Sequence, residues 1–171
     1  MIKYFVFILI LSITATSCGL QSISYSMNGA SIDYSKVKTF SVNYFTNKTP
    51  FAPNLGSDFT EALKEHLRSR TNLVEMTDNN GDVRFEGQIT GYTQRPMEIG
   101  ANEVAASNRL TVTIRVKYTN TTDGTYDFDT SFSQYADYGI DENFDSIEEE
   151  LLKSITDKII DDIYNKAFVN W

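Results

Sequence analysis

From Arg109 to Thr119 the chain alternates without a fault: Leu110, Val112, Ile114, Val116 and Tyr118 are apolar, and Arg109, Thr111, Thr113, Arg115, Lys117 and Thr119 are polar. Successive side chains of a strand point to opposite faces, so this stretch needs one face in a core and the other in water. A helix would split the same apolar residues between two opposite sides. The chain therefore requires a sheet with one covered face and one open face.

Neighbouring segments extend that sheet. Val83, Phe85, Gly87, Ile89 and Gly91 alternate with Arg84, Glu86, Gln88 and Thr90, which predicts a preceding strand. Its glycines thin the apolar face and suit close approach of a helix or another backbone. Asn120-Thr121-Thr122-Asp123-Gly124 is a turn into a further strand, Tyr126 to Tyr135, with Phe128 and Phe132 on one side. Earlier, Val37 to Phe45 sets Phe40, Val42 and Tyr44 against Thr39, Ser41 and Asn43, and Leu73 to Met76 can form a short strand. Asn47-Lys48-Thr49 and Asn120-Thr121-Thr122 fit a glycosylation acceptor pattern but read as turns.

Two segments change to helical spacing. After Asn54-Leu55-Gly56, the residues Phe59, Ala62, Leu63, His66 and Leu67 recur at three and four, with Ser57 or Asp58 expected to cap the start and Arg70 near the end. Ile147, Leu151, Ile155, Ile159, Ile163 and Ala167 recur every four residues, with Ser146 and Glu149 placed for a capping box and acids in the first turn. The expected fold class is α+β, a mostly antiparallel four-stranded sheet packed by two helices as an α/β sandwich.

Composition supports one core: 41% of the residues are hydrophobic and 13% aromatic, too apolar for a disordered chain. The start is different in kind. Lys3 precedes an apolar run from Tyr4 to Ile13, then Ala15, Ser17 and Cys18, the pattern of a secretory signal too short to span a membrane. Small residues at Ala15 and Ser17 before Cys18, the sole cysteine, resemble the lipobox of bacterial lipoproteins, which implies that Cys18 becomes the first mature residue and carries the lipid; the alternative is a core thiol released with, or kept near, an ordinary cleaved signal. The expected organisation is a signal peptide at 1–17, a lipidated polar tether at 18–35 and a single domain at 36–171. No run of lysine, aspartate or glutamate follows Cys18, which favours the inner, periplasmic face.

A formal net charge of −8 gives no general field for nucleic acid. Catalytic machinery is also hard to find. His66 sits beside Leu63 and Leu67 with no assignable nucleophile and reads as a half-buried helix residue. Glu148-Glu149-Glu150 and Asp161-Asp162 read as the wet face of a helix. Asp78-Asn79-Asn80-Gly81-Asp82 lacks the spacing and late glutamate of a calcium loop, and no phosphate loop or zinc pattern appears. A cofactor, a metal site and enzymatic activity are not expected. The polar face of the clearest strand is more suggestive: Arg109, Arg115 and Lys117 share it, and Arg84 can join them across the pairing. This stripe is either an ordinary charged sheet face balanced by Glu86 and aspartates or a docking site for phosphate or an acidic partner.

The chain resembles the lipopolysaccharide-assembly lipoprotein LptE family in its Bacteroidetes form. The likeness runs in order through the lipobox-like Cys18, Val37-Lys38-Thr39-Phe40-Ser41-Val42 with Tyr44-Phe45, Phe59-Thr60-Glu61-Ala62-Leu63 and Gly87-Gln88-Ile89-Thr90-Gly91-Tyr92. It continues through Asn108-Arg109-Leu110-Thr111-Val112, Phe132-Ser133-Gln134-Tyr135-Ala136-Asp137-Tyr138 and Asn165-Lys166-Ala167-Phe168-Val169-Asn170-Trp171. The resemblance implies an outer-membrane lipoprotein that plugs the LptD β-barrel during insertion of lipopolysaccharide. It also implies four strands packed by two helices. The competing expectation is a general envelope lipoprotein, a binding module in another outer-membrane assembly.

Overall fold

The structure is a computed structural model that describes residues 32–97 and 107–169; Cys18, the signal and most of the tether lie outside them. In chain order the elements are β1 (Thr39–Val42), β2 (Thr46–Asn47), α1 (Leu55–Arg70), β3 (Val74–Glu75), β4 (Val83–Met97), β5 (Ser107–Asn120), β6 (Phe128–Gly139) and α2 (Phe144–Tyr164). A short 3-10 turn, Gly124–Tyr126, precedes β6, and a π-helical turn, Asn165–Val169, prolongs α2.

The three long strands form the antiparallel meander that their alternation predicts, in the order β4, β5, β6. The sheet does not stop at four strands, however, and it is mixed. β1 lies parallel to both β4 and β3, and β2 adds parallel to β4 further along the same edge. The parallel pairing follows from α1, which carries the chain back across the sheet before β3, so β3 must run the same way as β1.

Both helices cover one face of this sheet. Leu110, Val112, Ile114, Val116 and Tyr118 are fully buried beneath them, as strand parity requires. Phe59, Leu63 and Leu67 of α1 and Ile155, Ile159 and Ile163 of α2 complete the core. A strict four-residue repeat drifts by about 40° per step on a helix of 3.6 residues per turn. Ile147 and Leu151 are accordingly only half-buried, while the stripe from Ile155 onward is enclosed. The π turn then swings Phe168 inward, where its ring stacks on Tyr164 at 5.1 Å and on Phe85 at 6.2 Å.

The helix starts differ from the expected caps. α1 begins at Leu55, and Ser57 donates its hydroxyl to the Asn54 carbonyl instead of capping. α2 begins at Phe144 with Asn143 accepting from the Asp145 amide, so Ser146 lies within the first turn. In each case a chain reversal just upstream supplies the entry, and the helix gains residues before its expected cap.

One irregularity reorganises β4. The register against β5 shifts between Ile89 and Gly91, a β-bulge at Thr90. A bulge reverses the facing of everything beyond it. Gly91, expected beside Ile89 on the apolar face, instead lies against Thr113 on the open face. Tyr92 enters the core. Gly87, before the bulge, keeps the predicted side, and the Phe45 ring fills the space above it.

Candidate functional site

The open face of the sheet is where the predicted stripe falls. β5 places Arg109, Arg115 and Lys117 there, all on odd positions opposite the buried even ones. Register fixes their neighbours. Arg109 faces Asp137 of β6, Lys117 lies between Glu86 of β4 and Asp129 of β6, and Arg115 reaches diagonally to Asp129.

Each cation is paired. Arg109 donates through Nε and Nη2 to both Asp137 oxygens at 2.6 and 2.8 Å, and its guanidinium lies 3.6 Å from the Tyr135 ring centre. Arg115 holds Asp129 in the same two-pronged way at 2.8 and 2.9 Å. Lys117 Nζ donates to Glu86 Oε1 at 2.7 Å. Hydrogen bonds from these cations hold the Asp137 and Asp129 carboxyls below their ordinary range, and the carboxylates raise the cations in turn. The side chains of Arg115 and Lys117 remain 54% and 55% exposed, so the pairs are open to exchange.

The balanced-face expectation thus holds pair by pair, yet the face as a whole is not neutral. Arg84 stands on it in register with Thr119, and Arg95, carried over by the bulge, stands directly opposite Arg109. Neither makes an ion pair among the described residues. On β4, β5 and β6, five cations therefore share this face with three carboxylates, in a protein of net charge −8. Arg95 was invisible to parity counting, since a bulge has no signature in one strand's sequence. A shallow depression of about 330 Å³ opens beside Arg115 and Lys117, walled by Asn43 and the exposed Tyr44.

The remaining candidates have structural roles. The Asp82 carboxylate accepts from the Lys38 and Thr39 amides and the Thr39 hydroxyl at 2.8 to 2.9 Å, fastening the start of β1. No group of acids, histidine or cysteine among the described residues is arranged to hold a metal. His66 lies between the helices, edge-on to Tyr164 at 5.3 Å and with Nε2 3.6 Å from Asp161. Burial lowers its pKa, against the pull of Asp161. Asp162 is not simply solvated: it accepts from Gln134 Nε2 at 2.6 Å and ties α2 to β6. No described helix is long and apolar enough to cross a membrane.

Known proteins share this fold. A minor lipoprotein from Acinetobacter baumannii is similar at 14% identity and a TM-score of 0.50, over 77% of this chain and 94% of that one. The hypothetical protein CT253 from Chlamydia trachomatis is similar at 9% identity and a TM-score of 0.52, over 77% and 98%. No curated protein matches in sequence. The profile of the LptE family, described as lipopolysaccharide-assembly, matches residues 37–167. That span runs from the residue before β1's approach to the π turn after α2, and this chain belongs to the LptE family.

Proposed function

We propose that this chain is an outer-membrane lipoprotein, facing the periplasm, that serves without catalysis as the plug and assembly partner of an LptD-like β-barrel while lipopolysaccharide is inserted into the outer leaflet. Family membership over residues 37–167 carries the reading. In it, residues 1–17 are the signal peptide, 18–35 the tether and 36–171 the domain, and Cys18 bears the lipid. One acyl chain binds a membrane only marginally, so stable anchoring requires the several chains of a mature lipoprotein. Cys18→Ser should abolish lipid labelling and release the protein from membranes; unchanged labelling and partition would remove Cys18 from the scheme.

Arg109, Arg115 and Lys117 are the contact we assign to glycolipid phosphate or to an acidic surface in the barrel lumen. Excess cations on an exposed face draw an anion in, and the arginine forks can exchange a carboxylate for a phosphate with the same two-pronged geometry. Salt should weaken the contact. The test is the triple variant Arg109→Gln, Arg115→Gln, Lys117→Gln, checked for folding by circular dichroism. We expect it to retain lipopolysaccharide about tenfold less well, the equivalent of about 1.4 kcal/mol. Wild-type binding and wild-type barrel co-purification would reduce the stripe to a solvated ladder. Failure of the wild-type protein to bring down a barrel from detergent-solubilised outer membrane would favour the general envelope lipoprotein.

A further inference from the structure

The opposite side of the molecule carries a different surface. Where the start of α1 meets the first half of α2, a groove of about 530 Å³ opens. Its apolar lining comes from Ala52, Pro53 and Leu55 ahead of and within α1, Ala62 further along, and Leu152 of α2. Its walls are acidic. Asp58, Glu148, Glu149 and Asp157 line it, against the single lining cation Lys153, which is already tied to Asp157 at 2.7 Å. Asp58 and Glu149 are exposed and have no ion-pair partner among the described residues.

A half-exposed aromatic stands beside this groove. Phe51 is 53% exposed, and its ring stacks on Tyr92 at 5.2 Å. Tyr92 in turn donates to Glu148 in the groove wall. The loop that presents Phe51 is held from within: the Asn47 amide donates to the Phe51 and Ala52 carbonyls, both at 2.9 Å. Ala52 sits at a φ of 46°, a left-handed conformation unusual for a residue with a Cβ. A large apolar side chain held in place near an apolar floor is the form of an interface anchor.

We infer that this inter-helix groove docks a basic polypeptide segment of a protein partner, an apolar side chain seated on the floor between Leu55 and Leu152 and flanking lysine or arginine on Asp58 and Glu149. Charge complementarity selects the occupant. An anionic glycolipid would meet the carboxylate walls. A second copy of this acidic chain would bring a further net charge of −8 against the carboxylate walls, and three of its helix cations are already paired: Lys64 with Glu61, Arg68 with Glu65 and Glu75, and Lys153 with Asp157. The two sides of the domain thus have opposite signs, the sheet face taking anions and the helix groove taking cations. The assignment rests on the proposal that the chain assembles with a protein partner, and it adds which surface does so and what chemistry meets it.

The probe is a short fluorescein-labelled peptide alternating leucine with lysine, compared by anisotropy with a twin carrying glutamate for lysine. Wild-type protein should bind the lysine peptide at least about tenfold more tightly than the twin, with affinity falling as salt rises. The double variant Asp58→Lys, Glu149→Lys alters two exposed positions and should lose that binding, while the triple glutamine variant on the sheet face keeps it. Equal binding of both peptides, or full binding by the double-lysine variant, would overturn the groove. So would a concentration-dependent dimer abolished by the same variant, which would make a second copy the occupant. Barrel co-purification is read separately, so a barrel that never co-purifies beside a groove that binds the lysine peptide would sink the plug assignment alone.

Discussion

Tyr92 of β4 donates its phenolic hydrogen to Glu148 Oε1 of α2 at 2.5 Å, joining residues 56 positions apart. The contact exists because the bulge at Thr90 sends Tyr92 to the helix side of the sheet. It fastens the first half of α2, where the aliphatic stripe is only half-buried, to the far half of the longest strand.

Tyr92→Phe should therefore cost about 1 to 2 kcal/mol, the worth of a hydrogen bond to a charged acceptor that is partly open to water. Glu148→Gln, which keeps an acceptor, should cost less. Urea unfolding of the two variants beside wild type measures both. Equal stability of Tyr92→Phe and wild type would show that the bond holds nothing.

The bulge also makes opposite forecasts for two glycines four residues apart. A Cβ on Gly87 would stand 2.1 Å from the Arg115 carbonyl oxygen and 2.6 Å from the Phe45 ring, so strand and core must both shift. On Gly91 it would meet the Thr113 side chain at 3.0 Å, on the open face. Gly87→Ala should destabilise by about 1 to 3 kcal/mol or more, and Gly91→Ala by clearly less. Matching midpoints for the pair would contradict the reversed facing.

Ile155 is fully buried at the point where the α2 stripe enters the core. Ile155→Asp places an unpaired carboxylate there, and the loss should exceed the ~2 to 5 kcal/mol of a truncation to alanine. That is a large share of the stability of a typical domain. Circular dichroism and urea titration should find the variant largely unfolded, and a wild-type titration curve would mean that this helix is not packed as described.

His66 links stability to pH. Burial beside Tyr164 lowers its native pKa below the ordinary 6.5, and Asp161 only partly compensates. As pH falls through 6.5 the unfolded chain takes up the proton first, so stability drops across that window and levels off below the native pKa. Asp161→Asn should lower the His66 pKa further, which NMR titration of the ring protons reads directly. His66→Gln should flatten the stability profile between about pH 7 and 5. An unchanged slope would assign the pH dependence to other groups.

Much of this architecture is written locally. The alternation in β5 placed its five apolar residues in the core and its cations on the other face, because side-chain direction in a strand depends only on parity. The four-residue repeat announced α2 for the same kind of reason. What the tertiary structure decided lies between segments. β1, β2 and β3 are two to four residues long, too short for a period to reveal their parallel pairing. The bulge is defined only against a partner strand, yet it moved Tyr92 into the core and Arg95 onto the open face. The carboxylate partners of Arg109, Arg115 and Lys117 are set by register across three strands. The acidic groove exists only where two helices distant in sequence lie side by side, because a surface shared by two elements belongs to their packing and not to either sequence.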